Sequence, residues 1–154
     1  MSKTKRVQNK LPSTTRSLPI VLIRAREGIM PPIREMLADS GITEQQWRVL
    51  RVLVEYGPQD TSTIADRACL LLPSLTRIAQ KMRDNGLITL SRNSTDRRRQ
   101  TIAITTAGQR IVDENEGRAA EIVEEFKRKL GADNYEQLLD LLSLLDPAAR
   151  KAKA

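Results

Sequence analysis

Residues 61–86, TSTIADRACLLLPSLTRIAQKMRDNG, decide the fold. They read as a short helix, a tight connection and a second helix, the order of a helix-turn-helix. In the second helix Leu75, Ile78, Ala79 and Met82 fall at i, i+3, i+4 and i+7, one apolar face of a 3.6-residue period. The opposite face carries Ser74, Thr76, Arg77, Gln80 and Lys81, with no acidic residue before Asp84. These are donors long enough to reach base edges or phosphates. Pro73 suits the first turn, where a missing N–H costs nothing. Asn85-Gly86 ends the helix, glycine being the usual left-handed cap. An ordinary amphipathic surface helix would show the same stripe, and the residues that follow weigh against that plainer reading.

After Gly86 the period changes. LITL (87–90) and TIAI (101–104) are short β-like runs, and SRNSTDRRRQ lies between them with two to five residues at its tip. This is a hairpin with a basic loop, a wing. Basic loops are usually just solvated. Directly behind a helix-turn-helix, however, such a hairpin completes a pair able to grip adjacent major and minor grooves. Charge follows the same division. Residues 72–100 hold seven cations (Arg77, Lys81, Arg83, Arg92, Arg97, Arg98, Arg99) against Asp84 and Asp96, whereas residues 105–146 hold five cations and ten anions.

The whole chain, 154 residues with a net charge of +7, suggests one domain with a polyanion as partner. One cysteine, Cys69, excludes an internal disulfide and fits a reducing compartment. Without histidine, a zinc or haem site is improbable, and no metal or cofactor is expected. No apolar run reaches the ~18 residues of a membrane span. Residues 1–16 lack the apolar core of a signal peptide, so a cytoplasmic protein is expected. There is no Gly-rich phosphate loop and no nucleophile beside a recognisable base, which argues against an enzyme. A basic RNA-binding module is the alternative from a different class. One Phe, two Tyr and one Trp make a poor stacking platform for single strands.

The flanks read as helices. Residues 1–15 form a basic flexible arm and 147–154 a flexible basic tail. A first helix, over 17–40 with Ser17 as its cap, places Leu18, Val21, Leu22, Ala25, Ile29, Ile33, Met36 and Leu37 on one side. Pro31-Pro32 removes two interior hydrogen bonds, so a kink or break is expected near 28–32. Thr43-Glu44-Gln45-Gln46 is a capping box, with Ile42 and Trp47 spaced as a hydrophobic staple. That helix runs to Tyr56 and buries Trp47, Leu50, Leu53 and Val54. Thr105 or Thr106 caps a helix of some 36 Å at ~1.5 Å per residue, too long for so small a body to cover. Its apolar side takes Ala107, Ile111, Val112, Ala119, Ile122, Val123, Phe126 and Leu130. Residues 133–136, DNYE, offer a cap for a last helix whose leucines occupy more than one stripe. Such a helix needs cover on more than one side, and with the first helix it is expected to pair with a second copy.

The fold class is therefore mainly α with a small β-hairpin wing. This order of helices, helix-turn-helix, basic wing and long terminal helices resembles the MarR family of bacterial transcription regulators. Asp96-Arg97-Arg98 is similar to that family's D-x-R wing signature, and Ile102-Ala103-Ile104-Thr105-Thr106-Ala107-Gly108 to the strand-to-helix run after it. The resemblance covers 16–146: a winged lobe over 42–104, with dimerisation helices over 16–40 and 105–146. RSLPIVLIRARE (16–27), TEQQWRVLRVL (43–53) and ACLLLPSLTRI (68–78) look like the branch regulating homoprotocatechuate and hydroxyphenylacetate degradation operons, from which Pro31-Pro32 departs. The resemblance implies an obligate homodimer and an aromatic or phenolic ligand site between the dimerisation and DNA-binding regions. It also implies repression as the commoner mode. A regulator of a stress or redox regulon is the alternative within the family. Against it, Cys69 stands among Ala68, Leu70 and Leu71, company that usually marks an inert buried thiol, and outside the first helix where the family's peroxide sensors carry theirs.

On a two-fold dimer, two reading helices would enter major grooves ~34 Å apart on an imperfect palindrome of double-stranded DNA. Ser74, Thr76, Arg77 and Gln80 are then the expected base contacts, Arg77 to guanine and Gln80 to adenine. Lys81 and Arg83 suit phosphate. Asp96 is expected to pair with Arg98 and fix the hairpin, while Arg97, Arg98 or Arg99 enters the minor groove. An aromatic acid needs an apolar slot, a cation and a donor for its hydroxyl. Trp47 is the candidate wall, Arg16 or Arg24 the cation and Ser17 the donor. Each has a blander reading, Trp47 as core and the two arginines as solvated surface.

Overall fold

The computed structural model describes residues 10–92, 95–96 and 98–148. Most of the arm, most of the tail and Arg97 lie outside them. The chain divides into two units, Met1–Pro32 and Ile33–Ala154.

The first unit carries a 3-10 turn, Thr14–Arg16, and most of helix α1, Leu18–Ala38. Ser17, extended at φ −82° and ψ 114°, precedes the helix and accepts the Val21 N–H through its carbonyl at 2.8 Å. The break expected at 28–32 does not occur: α1 holds Pro31 and Pro32 inside one uninterrupted helix. Proline's fixed φ is already helical, and the dipeptide forfeits only the two N–H groups aimed at Glu27 and Gly28. Leu18, Val21, Leu22, Ile23 and Ile29 are all exposed.

In the second unit, helix α2 (Glu44–Tyr56) starts on the full capping box. Thr43 Oγ1 accepts the Gln46 N–H at 3.2 Å and Gln46 Oε1 accepts the Thr43 N–H at 3.0 Å. Its buried face is wider than one stripe, adding Gln46, Val49 and Val52 to Trp47, Leu50 and Leu53, while Val54 stays exposed. Helix α3 (Thr61–Arg67) is capped by Asp60, whose carboxylate accepts the Thr63 N–H at 2.7 Å. Asp60 also belongs to a strand that was not expected. β1 (Gln59–Asp60) is two residues long, too short for any periodicity, and it pairs antiparallel with β3 (Gln100–Ile104). With β2 (Ile88–Arg92) the sheet order is β1-β3-β2. The ladder runs from Ile88 opposite Ile104 to Arg92 opposite Gln100. The ladder takes in Ser91 and Arg92, and 93–99 remain between the strands, more than the two to five expected at the tip.

Helix α4 (Leu72–Asp84) buries Leu75, Ala79 and Met82 against Leu50, Leu53, Ile64 and Ile102 in one cluster. Truncating a leucine as buried as Leu75 costs about 2–5 kcal/mol. The helix ends in a Schellman turn. Gly86 at φ +75° sends its N–H to the Arg83 carbonyl, and Leu87 sends its own to Met82, both at 2.9 Å.

Helix α5 (Thr106–Leu130) is capped by Thr105, whose Oγ1 accepts the Gly108 N–H. Its buried residues are Gly108, Val112, Asn115 and Ile122, so Ala107, Val123 and Leu130, expected on the apolar side, remain exposed. Asn115 is satisfied by the Ser40 hydroxyl and the Ile111 carbonyl, both at 2.8 Å. Helix α6 (Ala132–Ser143) begins without the side-chain cap expected from 133–136. Asn134 instead donates to the Leu130 carbonyl and closes α5. No residue of α6 is buried. No described helix is long and apolar enough to cross a membrane.

Candidate nucleic-acid interface

The face of α4 expected to read DNA is where its apolar stripe puts it. With Leu75, Ala79 and Met82 buried, Thr76, Arg77, Gln80 and Lys81 are exposed and Ser74 is half-buried. Arg77 and Lys81 form no ion pair among the described residues, so their charge is available to a ligand. Two predicted contacts are partly spoken for. The Thr76 hydroxyl donates to the Leu72 carbonyl at 3.0 Å, leaving it an acceptor and a methyl to offer. Arg83 lies 3.1 Å from the Asp84 carboxylate, an exposed and therefore weak pair that competes with any phosphate for the same guanidinium.

In the wing, Asp96 does hold Arg98, through the main chain. Its Oδ1 accepts the Arg98 N–H at 3.0 Å, and its carbonyl accepts the Arg99 N–H at 3.0 Å. This Asx-type turn shapes the tip and leaves the Arg98 and Arg99 side chains exposed. Arg97 lies outside the described residues. At the base of the wing, Asp60 has its carboxyl held below the ordinary carboxylate range. Thr63 hydrogen bonds are the main cause, and the charge of Arg99 adds to them.

The turn between α3 and α4 is a second Schellman motif, with Cys69 at its left-handed position (φ +52°). The Leu70 N–H reaches Ala65 at 2.9 Å, and Arg48 donates to the carbonyls of Ala68 and Cys69 at 2.7 and 3.1 Å. The turn buries Ala68 and leaves Cys69 exposed, against the expectation of a buried thiol. Apolar neighbours in sequence say little where the backbone reverses between one residue and the next.

A groove opens elsewhere in this unit. Trp47, Arg51 and Val54 of α2 face Val112, Glu116 and Val123 of α5 across about 330 Å³. Trp47 is 8% exposed, both core and wall, and the Arg51 guanidinium sits 5.8 Å from its ring centroid. Arg51 is a cation not among the expected ligand contacts. Its signal was there: it stands one turn after Trp47, the spacing that brings side chains together on a helix. Arg16, Ser17 and Arg24 belong to the first unit, where both arginines are exposed and Ser17 is half-buried.

Known proteins bear on this arrangement. The MarR family model matches residues 42–99, α2 through the wing. The HTH-type transcriptional regulator FarR of Neisseria gonorrhoeae is 36% identical over 129 residues, 84% of this chain and 88% of that protein. The chain belongs to the MarR family. As a member it is a transcriptional regulator with a winged helix. Also similar, at 35% identity over 126 residues, is the homoprotocatechuate degradative operon repressor of Escherichia coli, covering 82% of this MarR-family chain and 85% of that protein. Among solved structures, NadR in complex with 4-hydroxyphenylacetate superposes with a TM-score of 0.77 at 34% identity, over 90% of this chain and 99% of that one. These relatives are transcriptional regulators, not enzymes.

Proposed function

We propose that the chain is a homodimeric repressor that grips an imperfect palindrome with α4 and the wing, and lets go when a small aromatic or phenolic acid occupies the Trp47 groove. The observation that carries the DNA half is an exposed cationic face: Arg77 and Lys81 on α4, in no ion pair among the described residues, with Arg98 and Arg99 exposed on the wing. Arg77 and Gln80 read bases, Ser74 and Thr76 add shorter contacts, and Lys81 holds phosphate with lesser help from Arg83. Asp96 keeps the wing in shape for Arg97, Arg98 or Arg99 to enter the minor groove.

Support for the ligand half comes from the groove's chemistry and from relatives whose names carry homoprotocatechuate and 4-hydroxyphenylacetate. A flat apolar wall, a guanidinium and the Glu116 carboxylate would take a ring, a carboxylate and a phenolic hydroxyl in that order. Arg51 is assigned the carboxylate; Arg16, Ser17 and Arg24, in the first unit, are candidate ligand contacts to be tested independently of that groove. To release DNA, the acid must bind the released conformation more tightly than the bound one. The second copy is suggested by the leucines that α6 leaves uncovered.

The test is a random-duplex selection followed by anisotropy titrations with and without 4-hydroxyphenylacetate. A palindromic consensus is expected, with affinity falling as acid is added. Arg77→Ala should cost about 1–3 kcal/mol and relax specificity, whereas Lys81→Ala should lower the salt slope by about 0.9. Calorimetry on Arg51→Ala, Arg16→Ala, Arg24→Ala and Ser17→Ala sorts the ligand contacts. No binding of the acid to the unmutated protein sinks the ligand half, and no enriched duplex sinks the DNA half.

A further inference from the structure

The tip of α4 is apolar, exposed and uncapped. Leu71, at the N-cap position, is 78% exposed, Leu72 is 46% exposed, and Pro73 beside them is exposed too. A leucine is a poor choice there on two counts. N-cap positions favour Ser, Thr, Asp or Asn, and the helices α2, α3 and α5 of this chain each begin on such a residue with its side-chain bond made. At Leu71 the helix has no side-chain cap hydrogen bond. The side chain does not go into the core either, so neither local structure nor packing explains it.

Position within the reading unit does. The N-terminal residues of a recognition helix are the ones that reach the floor of the major groove. The only apolar group displayed there is the thymine 5-methyl. Leu71 and Leu72 precede Ser74 and Arg77 on the same helix, whose cations Arg77 and Lys81 draw it to the phosphates on either side. An aspartate cap would have stabilised the helix while setting a negative charge against DNA.

We infer that Leu71 and Leu72 are specificity-determining residues that recognise thymine methyl groups in each half-site. This rests on the reading of α4 as the DNA-reading helix and adds the base that it selects. Burying one methyl against a leucine changes affinity by about fourfold.

The experiment takes the duplex enriched by the unmutated full-length protein and replaces its thymines, one at a time, by deoxyuridine, deleting the methyl alone. Leu71→Ser and Leu72→Ser are titrated on the same set, with thermal melts of each variant. The expected result is one or two thymines per half-site whose methyl is worth about fourfold each to the unmutated protein and nothing to the matching variant. Leu71→Ser, which restores a capping side chain, should melt no lower than the unmutated protein. Uniform indifference to deoxyuridine, or equal sensitivity in the variants, overturns the inference while leaving α4 a DNA-reading helix. If no duplex is enriched at all, the DNA reading falls and this inference falls with it.

Discussion

Thr105 Oγ1 donates to the Gly86 carbonyl at 2.7 Å, and the Thr105 N–H reaches the neighbouring Leu87 carbonyl at 3.1 Å. One threonine thus ties the end of α4 to the start of α5, the helix whose Val112 and Glu116 line the groove. The same hydroxyl accepts the Gly108 N–H as the α5 cap. Thr105→Val should therefore lose both roles and about 1–2 kcal/mol of stability in urea denaturation, whereas Thr105→Ser should keep most of it. Equal losses in the two variants would show that the hydroxyl is not what matters.

Gly108 is at the tightest point of that joint. A Cβ there would be driven into the Leu87 carbonyl oxygen and would stand 2.8 Å from Ile104 Cγ1 and 3.2 Å from Leu50 Cδ2. The carbonyl cannot swing away without breaking the Thr105 bond. Gly108→Ala should cost about 1–3 kcal/mol by overpacking, although alanine is the better helix former. Gly117→Ala, on the same helix with nothing within 4 Å of its Cβ, is the control and should be neutral or stabilising. A melting midpoint for Gly108→Ala at or above that of the unmutated protein would contradict this packing.

What was legible in the residues followed from period and caps. Leu75, Ala79 and Met82 fixed which side of α4 faces out, and Thr43 with Gln46 fixed where α2 begins. What was not legible depended on tertiary partners or on a backbone reversal. β1 exists only because Gln59 and Asp60 meet Ile102 and Thr101. Cys69 is outside because its φ is positive, which no local composition reveals. Asn115 is inside because Ser40, far away in sequence, offers it a partner. Arg51 was visible as a residue on the face of Trp47 but not as the rim of a groove, since α5 supplies the other wall.

Asp60 makes stability depend on pH with a definite sign. Its folded carboxyl is held below the ordinary value of 3.8, chiefly by the Thr63 hydrogen bonds. The charged cap therefore contributes fully above that value, and its contribution drains away as pH falls through the folded value. Asp60→Asn keeps a neutral cap that does not titrate. The urea midpoint of the unmutated protein should exceed that of the variant near pH 7, and the gap should close below about pH 4. A gap that is the same at about pH 3 as at neutrality would mean the carboxylate's charge adds nothing to the cap.

The leucines of α6 make a last prediction, on the proposed second copy. Leu141 is 56% exposed and Leu144, just past the helix, 66%, and neither belongs to the core cluster that holds α2 to α4 and the sheet together. In a lone chain they cost the protein solubility and stabilise nothing. In an isologous pair each contact occurs twice, and covering what remains exposed of one such leucine is worth about 1–2 kcal/mol. The double substitution Leu141→Glu, Leu144→Glu places four charges in such an interface but touches no buried side chain of the lobe. Sedimentation should then move from twice the chain mass to 17.3 kDa, with the far-ultraviolet helix signal retained. Palindromic duplex should be bound with the lower affinity of a single half-site. A single-chain mass for the unmutated protein at micromolar concentration, or a pair that tolerates all four charges, would remove α6 from the interface.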